Sequence, residues 1–263
     1  MNNQVIVDRY IATCVENINE YDMADVIYAQ PRSAAISGLV VEEPSKAAIV
    51  GEGILTFTGQ LTGDNKSDAQ NAFLFATLVA NKKFRAEDQG KEWYQLFRQV
   101  MTDCGWTPVS KYYNDLHIAG NTVRMDKLVL DILGSVIAGI ALPGPSTALM
   151  LKVAGDAVAA LQKRDTALTL YERNLLDNGV GGMAAASCTE VAGEAIMAVG
   201  AVRFKRKNTS TKVLFVDVDI RNVNLYRGET VFAKNTLVAD ATRESIKVRL
   251  GVNAVEKIDE YEI

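Results

Sequence analysis

Polar residues nearly vanish in the middle of this chain. Leu128–Leu142 reads LVLDILGSVIAGIAL with Asp131 as its single charge, PGPS follows at 143–146, and TALMLKVAGDAVAAL runs on to Leu161. Two apolar helical patterns across a proline turn predict a helical hairpin from Met125 to Lys163. Around it lie patterns with one apolar face. Val5, Tyr10, Ile11, Cys14, Val15 and Ile18 recur at three- and four-residue steps, so an amphipathic helix is expected there, continuing over Met23–Ala29 until Pro31. Ser67 or Asp68 is expected to cap a helix with Phe73, Leu74, Leu78 and Val79 as its buried stripe. Trp93, Leu96, Phe97, Val100 and Met101 share one face of a further helix, and Gly105 suits the left-handed position after its last turn. Residues 165–179, DTALTLYERNLLDNG, predict another helix.

Period-two alternation appears in GILTFTGQL (53–61) and dominates after Gly181. AIMAVGAVRFKRK (195–207) and TKVLFVDVDIRNVNLY (211–226) read as an antiparallel hairpin turning at Asn208–Ser210, with a bulge near Arg221 where the apolar parity switches. Arg227-Gly228 is expected to turn into a third strand, ETVFAKNTLV, before a helix over Asp240–Leu250 and a frayed acidic tail, EKIDEYEI. Trp106–Ile118 fits an edge strand or a loop. The fold class is α+β: a mainly helical region, 1–180, built around the 125–163 hairpin, and a strand-rich region, 181–263, forming an antiparallel sheet packed on it.

A net charge of −4 argues against a nucleic-acid partner, which needs a basic face. The basic cluster Arg203, Lys205, Arg206 and Lys207 reads as a solvated strand end, or as a contact for anionic lipid headgroups. Three cysteines (Cys14, Cys104, Cys188) and one histidine (His117) give neither a disulfide framework nor a zinc set, so no metal is expected. The start, MNNQVIVDRYIATC, lacks the pattern of a secretory signal. The expectation is a cytoplasmic protein in the producing cell, exported by another route and membrane-associated at its target.

Catalytic signatures are missing. No serine elbow accompanies His117, Asp217-Val218-Asp219 is a very short acidic match on an exposed strand face, and Gly179, Gly181 and Gly182 lack phosphate-loop spacing. The chain is therefore expected not to be an enzyme. The hairpin carries more information. Gly134/Ala138 and Ser135/Gly139, with Ala154, Gly155, Ala157, Ala159 and Ala160, leave room for close helix packing or for a ligand such as an acyl chain. As a helix, Leu128–Leu142 would be about 22 Å long, short of the roughly 30 Å of a bilayer core. Three roles stay open: a buried core hairpin, a hairpin that leaves the core to enter lipid, or the wall of a lipid-sized cavity. In the lipid readings the contacting residues are Leu128, Leu130, Ile132, Leu133, Val136, Ile137, Ile140, Leu149 and Val153. Asp131 would cost roughly 2.5–3.5 kcal/mol at a bilayer centre, so it belongs near the interface. Cys188, in MAAASCTE, is either an inert buried thiol or a lipid-modified one.

Two segments, FLFATLVANKKF (Phe73–Phe84) and EWYQLFRQVMTDCGWTP (Glu92–Pro108), resemble a stretch found in bacterial proteins of about this length. The overall plan is similar to the Erwinia virulence factor family, small α/β proteins that promote bacterial infection of the insect gut. In that family a cysteine in the C-terminal third carries a palmitoyl group inside the fold. The resemblance implies Cys188 as the matching residue, a covalent palmitate in place of any cofactor, and a lipid, membrane, host-protein or bacterial-protein partner. The favoured expectation is a non-enzymatic virulence or toxin-like factor that engages lipid through the hairpin. A soluble interaction module with a permanently buried hairpin and an enzyme of unrecognised type are the alternatives.

Overall fold

The computed structural model describes residues 3–24, 47–59, 61–84, 89–118, 120–140, 142, 146–178, 181–204, 215, 217–219 and 225–261. The helices are α1 (Asn3–Glu20), α2 (Gly63–Lys83), α3 (Gly90–Asp103), α4 (Met125–Ala138), α5 (Ser146–Leu161), α6 (Asp165–Asn178), α7 (Thr236–Leu250) and α8 (Val252–Lys257). The strands are β1 (Ala47–Val50), β2 (Gly53–Thr58), β3 (Trp106–Leu116), β4 (Thr122–Val123), β5 (Gly181–Val191), β6 (Glu194–Phe204), β7 (Val218–Asp219), β8 (Leu225–Lys234) and β9 (Ile258–Tyr261). The class is α+β.

One seven-stranded sheet, in the order β3-β8-β6-β5-β2-β1-β9, organises the molecule, and β4 and β7 form a separate two-stranded pair. The sheet is not confined to the C-terminal region, as the alternation had suggested. It takes β1, β2 and β3 from before residue 180, and β2 runs parallel to β5 while the other pairs are antiparallel. Alternate residues sort into two cores. Leu55, Phe57, Cys188, Met197, Val199 and Phe232 meet α2, α3 and α7; Ile54, Met183, Ala185, Ala198, Val202 and Val231 meet α4, α5 and α6.

Several local expectations change. Helix α2 starts a turn early, with the Thr62 hydroxyl accepting from Asn65 N at 3.2 Å, because Asp68 is engaged elsewhere. The antiparallel hairpin is β5–β6, turning at Ala192-Gly193 with φ of 52° and 84°, the left-handed pair that two-residue hairpin loops require. Arg227-Gly228 is not a turn. It lies inside β8, where a Cβ on Gly228 would fall 2.5 Å from the Tyr94 ring, so the glycine is there for packing. Asn235 caps α7 through Val238 N, so that helix also starts earlier. The acidic tail is not frayed: Ile258–Tyr261 pairs with β1 at the sheet edge. Trp106–Leu116 is the opposite edge strand, with a register shift between Pro108 and Ser110 that blunts it, and Gly105 takes the expected positive φ, 86°. Pro31, the Asn208–Ser210 turn, the Arg221 bulge, Gly179 and the basic residues 205–207 lie outside the described residues.

Candidate functional site

Helices α4 and α5 form the expected hairpin and lie on the sheet, α4 over β6 and β5, α5 over β2 and β5. Their residue types explain the seating. The apolar residues face Ala185, Ala198, Val202 and Val231, while Lys127, Asp131, Lys152 and Asp156 point outward. Of the nine residues expected to contact lipid, Ile132, Leu133, Val136, Ile137 and Val153 are buried, and Leu128, Leu130 and Ile140 are half-buried. Leu149 is 45% exposed, next to Leu151 at 37%. In this state the hairpin is a layer of the core. Each buried side chain holds it there by roughly 1.5–3 kcal/mol. With 14 and 16 residues, the arms are about 21 and 24 Å long. Among the described residues no helix is long and apolar enough to cross a membrane.

The small residues act differently from the expectation. Gly134 faces Leu151 across the hairpin, and a Cβ on Gly155 would meet nothing within 4 Å. The glycine that admits close approach is in the sheet: a Cβ on Gly200 would sit 2.7 Å from Leu133 N, so only glycine lets the α4 backbone rest on β6.

The polar contacts of this layer are local. Ser135 Oγ donates to Asp131 O at 3.2 Å, and Lys152 pairs with Asp156 at 2.6 Å in the open. Arg124 donates to both oxygens of Asp126, at 2.7 and 3.2 Å. Phe215 N, outside the hairpin, also donates to Asp126, at 3.3 Å. Among the described residues, none of the charged side chains of α4 and α5 pairs with the seven-stranded sheet.

Cys188 lies at the centre of β5, opposite Phe57 and Met197, and is 1% exposed. Burial pushes its thiol up to about 12; Lys234 pulls it down less, and Glu190 adds slightly to the rise. At neutral pH it is a protonated, poorly nucleophilic thiol. Cys14 and Cys104 are also free and buried. On the same sheet face, Ala186 and Ala184 run from Cys188 towards a cavity walled by Phe73, Trp93, Tyr94, Phe97, Val199 and Ala201. Its volume is about 10 Å³, room for one water and far too little for an acyl chain. The polar end of this cavity holds the Glu52–Arg203 pair at 3.1 Å, with the guanidinium 4.2 Å from the centre of the Trp93 ring.

Sequence reading missed the polar residues that join this second helical layer to the sheet. Arg203 is not a solvated strand end; it is 7% exposed. Asp68 accepts from Lys234 at 2.6 Å and from Arg243 at 2.7 and 2.8 Å. Burial would raise its pKa, but hydrogen bonds from Arg243 and Lys234 outweigh that and hold the carboxyl below its usual range. Strand parity carried the signal: Arg203 continues the inward series Val199, Ala201, and Lys234 continues Phe232. His117 and Asp217 are exposed, and no group of three or more metal-ligating side chains converges among the described residues.

No protein-family model matches the chain, and no curated protein matches it. Among solved structures it is similar to a delta-endotoxin, with 12% identity and a TM-score of 0.35 over 78% of this chain and 89% of that one. It is also similar to the Evf virulence factor, with 14% identity and a TM-score of 0.28 over 95% of this chain and 89% of that one. Both are weak likenesses. Neither transfers an activity.

Proposed function

We propose that this chain is a non-enzymatic virulence or toxin-like protein that engages lipid by releasing the α4–α5 layer from its sheet. One observation supports this above others: the layer is held by apolar contact, and among the described residues its charged side chains make no ion pair with the sheet. Hydrocarbon can replace an apolar sheet face without leaving buried charges unpaired, and helices keep their backbone groups bonded in lipid. The arms are too short to span a bilayer singly, so the reading is of insertion into one leaflet. The virulence part of the proposal stands on the resemblance of the overall plan, its length, order of elements and Cys188, to the Erwinia virulence factor family. Acylation of Cys188 is its finest part. A chain on that sulfur would lie over Ala186 and Ala184 and requires α2 and α3 to lift.

Flotation with vesicles of phosphatidylcholine and phosphatidylglycerol, with dye release, tests the lipid reading. Binding is expected, and a protein that stays wholly unbound across pH and lipid composition overturns it. Intact mass tests acylation separately, by an addition of fatty-acyl size that a Cys188→Ser variant lacks.

A second reading, a soluble interaction module whose hairpin never leaves, is favoured by the seating of Leu133 on Gly200. It predicts no flotation under any condition.

A further inference from the structure

Among the described residues, the base of the hairpin is tied to another segment through a buried carboxylate. Asp126, in the first turn of α4, is 5% exposed. Its carboxylate takes two hydrogen bonds from the Arg124 guanidinium and one from the backbone N–H of Phe215. Phe215 has a left-handed φ of 61°, unusual for a bulky residue, and its side chain packs on the core formed with α4, α5 and α6. Beside it, β4 and β7 pair Thr122 with Asp219 and Val123 with Val218. Residues 122–126 therefore close on Phe215 and on Val218–Asp219 at the base of α4. Charge-assisted bonds are among the stronger polar contacts a protein makes, and here the carboxylate is buried while the guanidinium stays partly exposed. Among the described residues, Lys127, Asp131, Lys152 and Asp156 make no ion pair to any other element.

We propose that Asp126 is the clasp of the hairpin. It fixes the base of α4 to Phe215, and its loss loosens the α4–α5 layer while the sheet and the opposite helices stay folded. The inference deepens the lipid reading by naming what holds the layer closed, and it can stand or fall separately.

Hydrogen exchange by mass spectrometry on the full chain tests it, comparing wild type, Asp126→Ala and Arg124→Gln. Asp126→Ala is expected to raise exchange in peptides covering 125–140 and 146–161 by roughly tenfold or more, with peptides of β5, β6, α2 and α3 unchanged. Arg124→Gln leaves the Phe215 bond and is expected to give a smaller rise in the same peptides. It decides the matter if Asp126→Ala fails to fold, since Arg124 is 36% exposed. Unchanged exchange in α4 and α5, or a uniform rise along the chain, overturns the clasp. The same variants are floated with phosphatidylcholine–phosphatidylglycerol vesicles. A local rise without vesicle binding keeps the clasp and rejects the lipid reading. Vesicle binding by wild type, without a local rise in the variants, does the reverse.

Discussion

The two faces of the sheet are covered by different means. On one, α2, α3 and α7 are joined to the strands and to each other by named polar bonds. Asp68 bridges Lys234 and Arg243, Asn65 donates to Glu190 at 2.8 Å, Gln70 donates to Glu260 at 2.8 Å, and Tyr94 shares a hydrogen bond with Thr230 at 2.8 Å. On the other, α4 and α5 rest on the strands through aliphatic side chains. Apolar attraction is non-directional and serves with any apolar partner. A buried charge accepts only a few partners, and removing one of them costs much. The first face is thereby committed to its own sheet, whereas on the second the α4–α5 layer is committed only to being dry, beside an α6 tied to the β1–β2 turn by Asn174 donating to Gly51 O at 2.6 Å.

Substitutions can break that contrast, the most damaging first. Asp68→Ala strands Lys234, which is 3% exposed, and is expected to cost about 3–5 kcal/mol in denaturant unfolding. A loss below 1 kcal/mol would mean that this face is no more committed than the other. Leu133→Ala removes a fully buried side chain from the apolar face and should cost roughly 2–5 kcal/mol. Here urea titration is best followed by exchange, since the contrast requires α4 and α5 to loosen first.

The acid limb separates the faces further. The carboxyl of Asp68 sits below its usual range, so its contribution is complete above its unfolded value of about 3.9 and is lost as pH falls through the folded value. Asp68→Asn should flatten acid unfolding in a pH titration of thermal stability. Asp103 has the opposite sign. Burial raises its carboxyl more than Tyr21 and Asn17 lower it, so its stabilisation is present at low pH and fades as pH rises through the folded value. Cys188 should react with a disulfide reagent at neutral pH only at the rate of unfolding. Fast labelling of the native protein would show that α2 and α3 already open. The smallest effect belongs to Lys152→Ala, whose pair with Asp156 is exposed on both sides and should change stability by under about 0.5 kcal/mol.

The apolar hairpin was legible because its periodicity and proline turn are local properties. So was the α3 stripe, whose Trp93 and Phe97 stack at 5.4 Å. What escaped depends on distant chain. Gly228 looked like a turn because its partner, Tyr94, is remote in sequence, and the tail looked frayed because β1 lies about two hundred residues earlier. Charged residues inside strands escaped for a related reason. Arg203 and Lys234 keep the inward parity of their neighbours, but only the buried carboxylates of Glu52 and Asp68 make that parity tolerable. Eight of the nine hairpin residues lie on α4 or α5, and Ile140 follows the end of α4. The sequence could not say whether their apolar neighbour was sheet or lipid, because both present the same chemistry.

The parallel pairing of β2 with β5 has a consequence for biosynthesis. The bond from Thr56 to Ala186 spans 130 residues, and β1 waits longer still for β9. A growing chain thus emerges with two strands whose edges stay unmatched until much later segments arrive. Contacts this far apart in sequence favour slow, late assembly and leave the nascent protein exposed to wrong partners. A chaperone that shields residues 47–58 during translation should accordingly raise the yield more than one that acts after release.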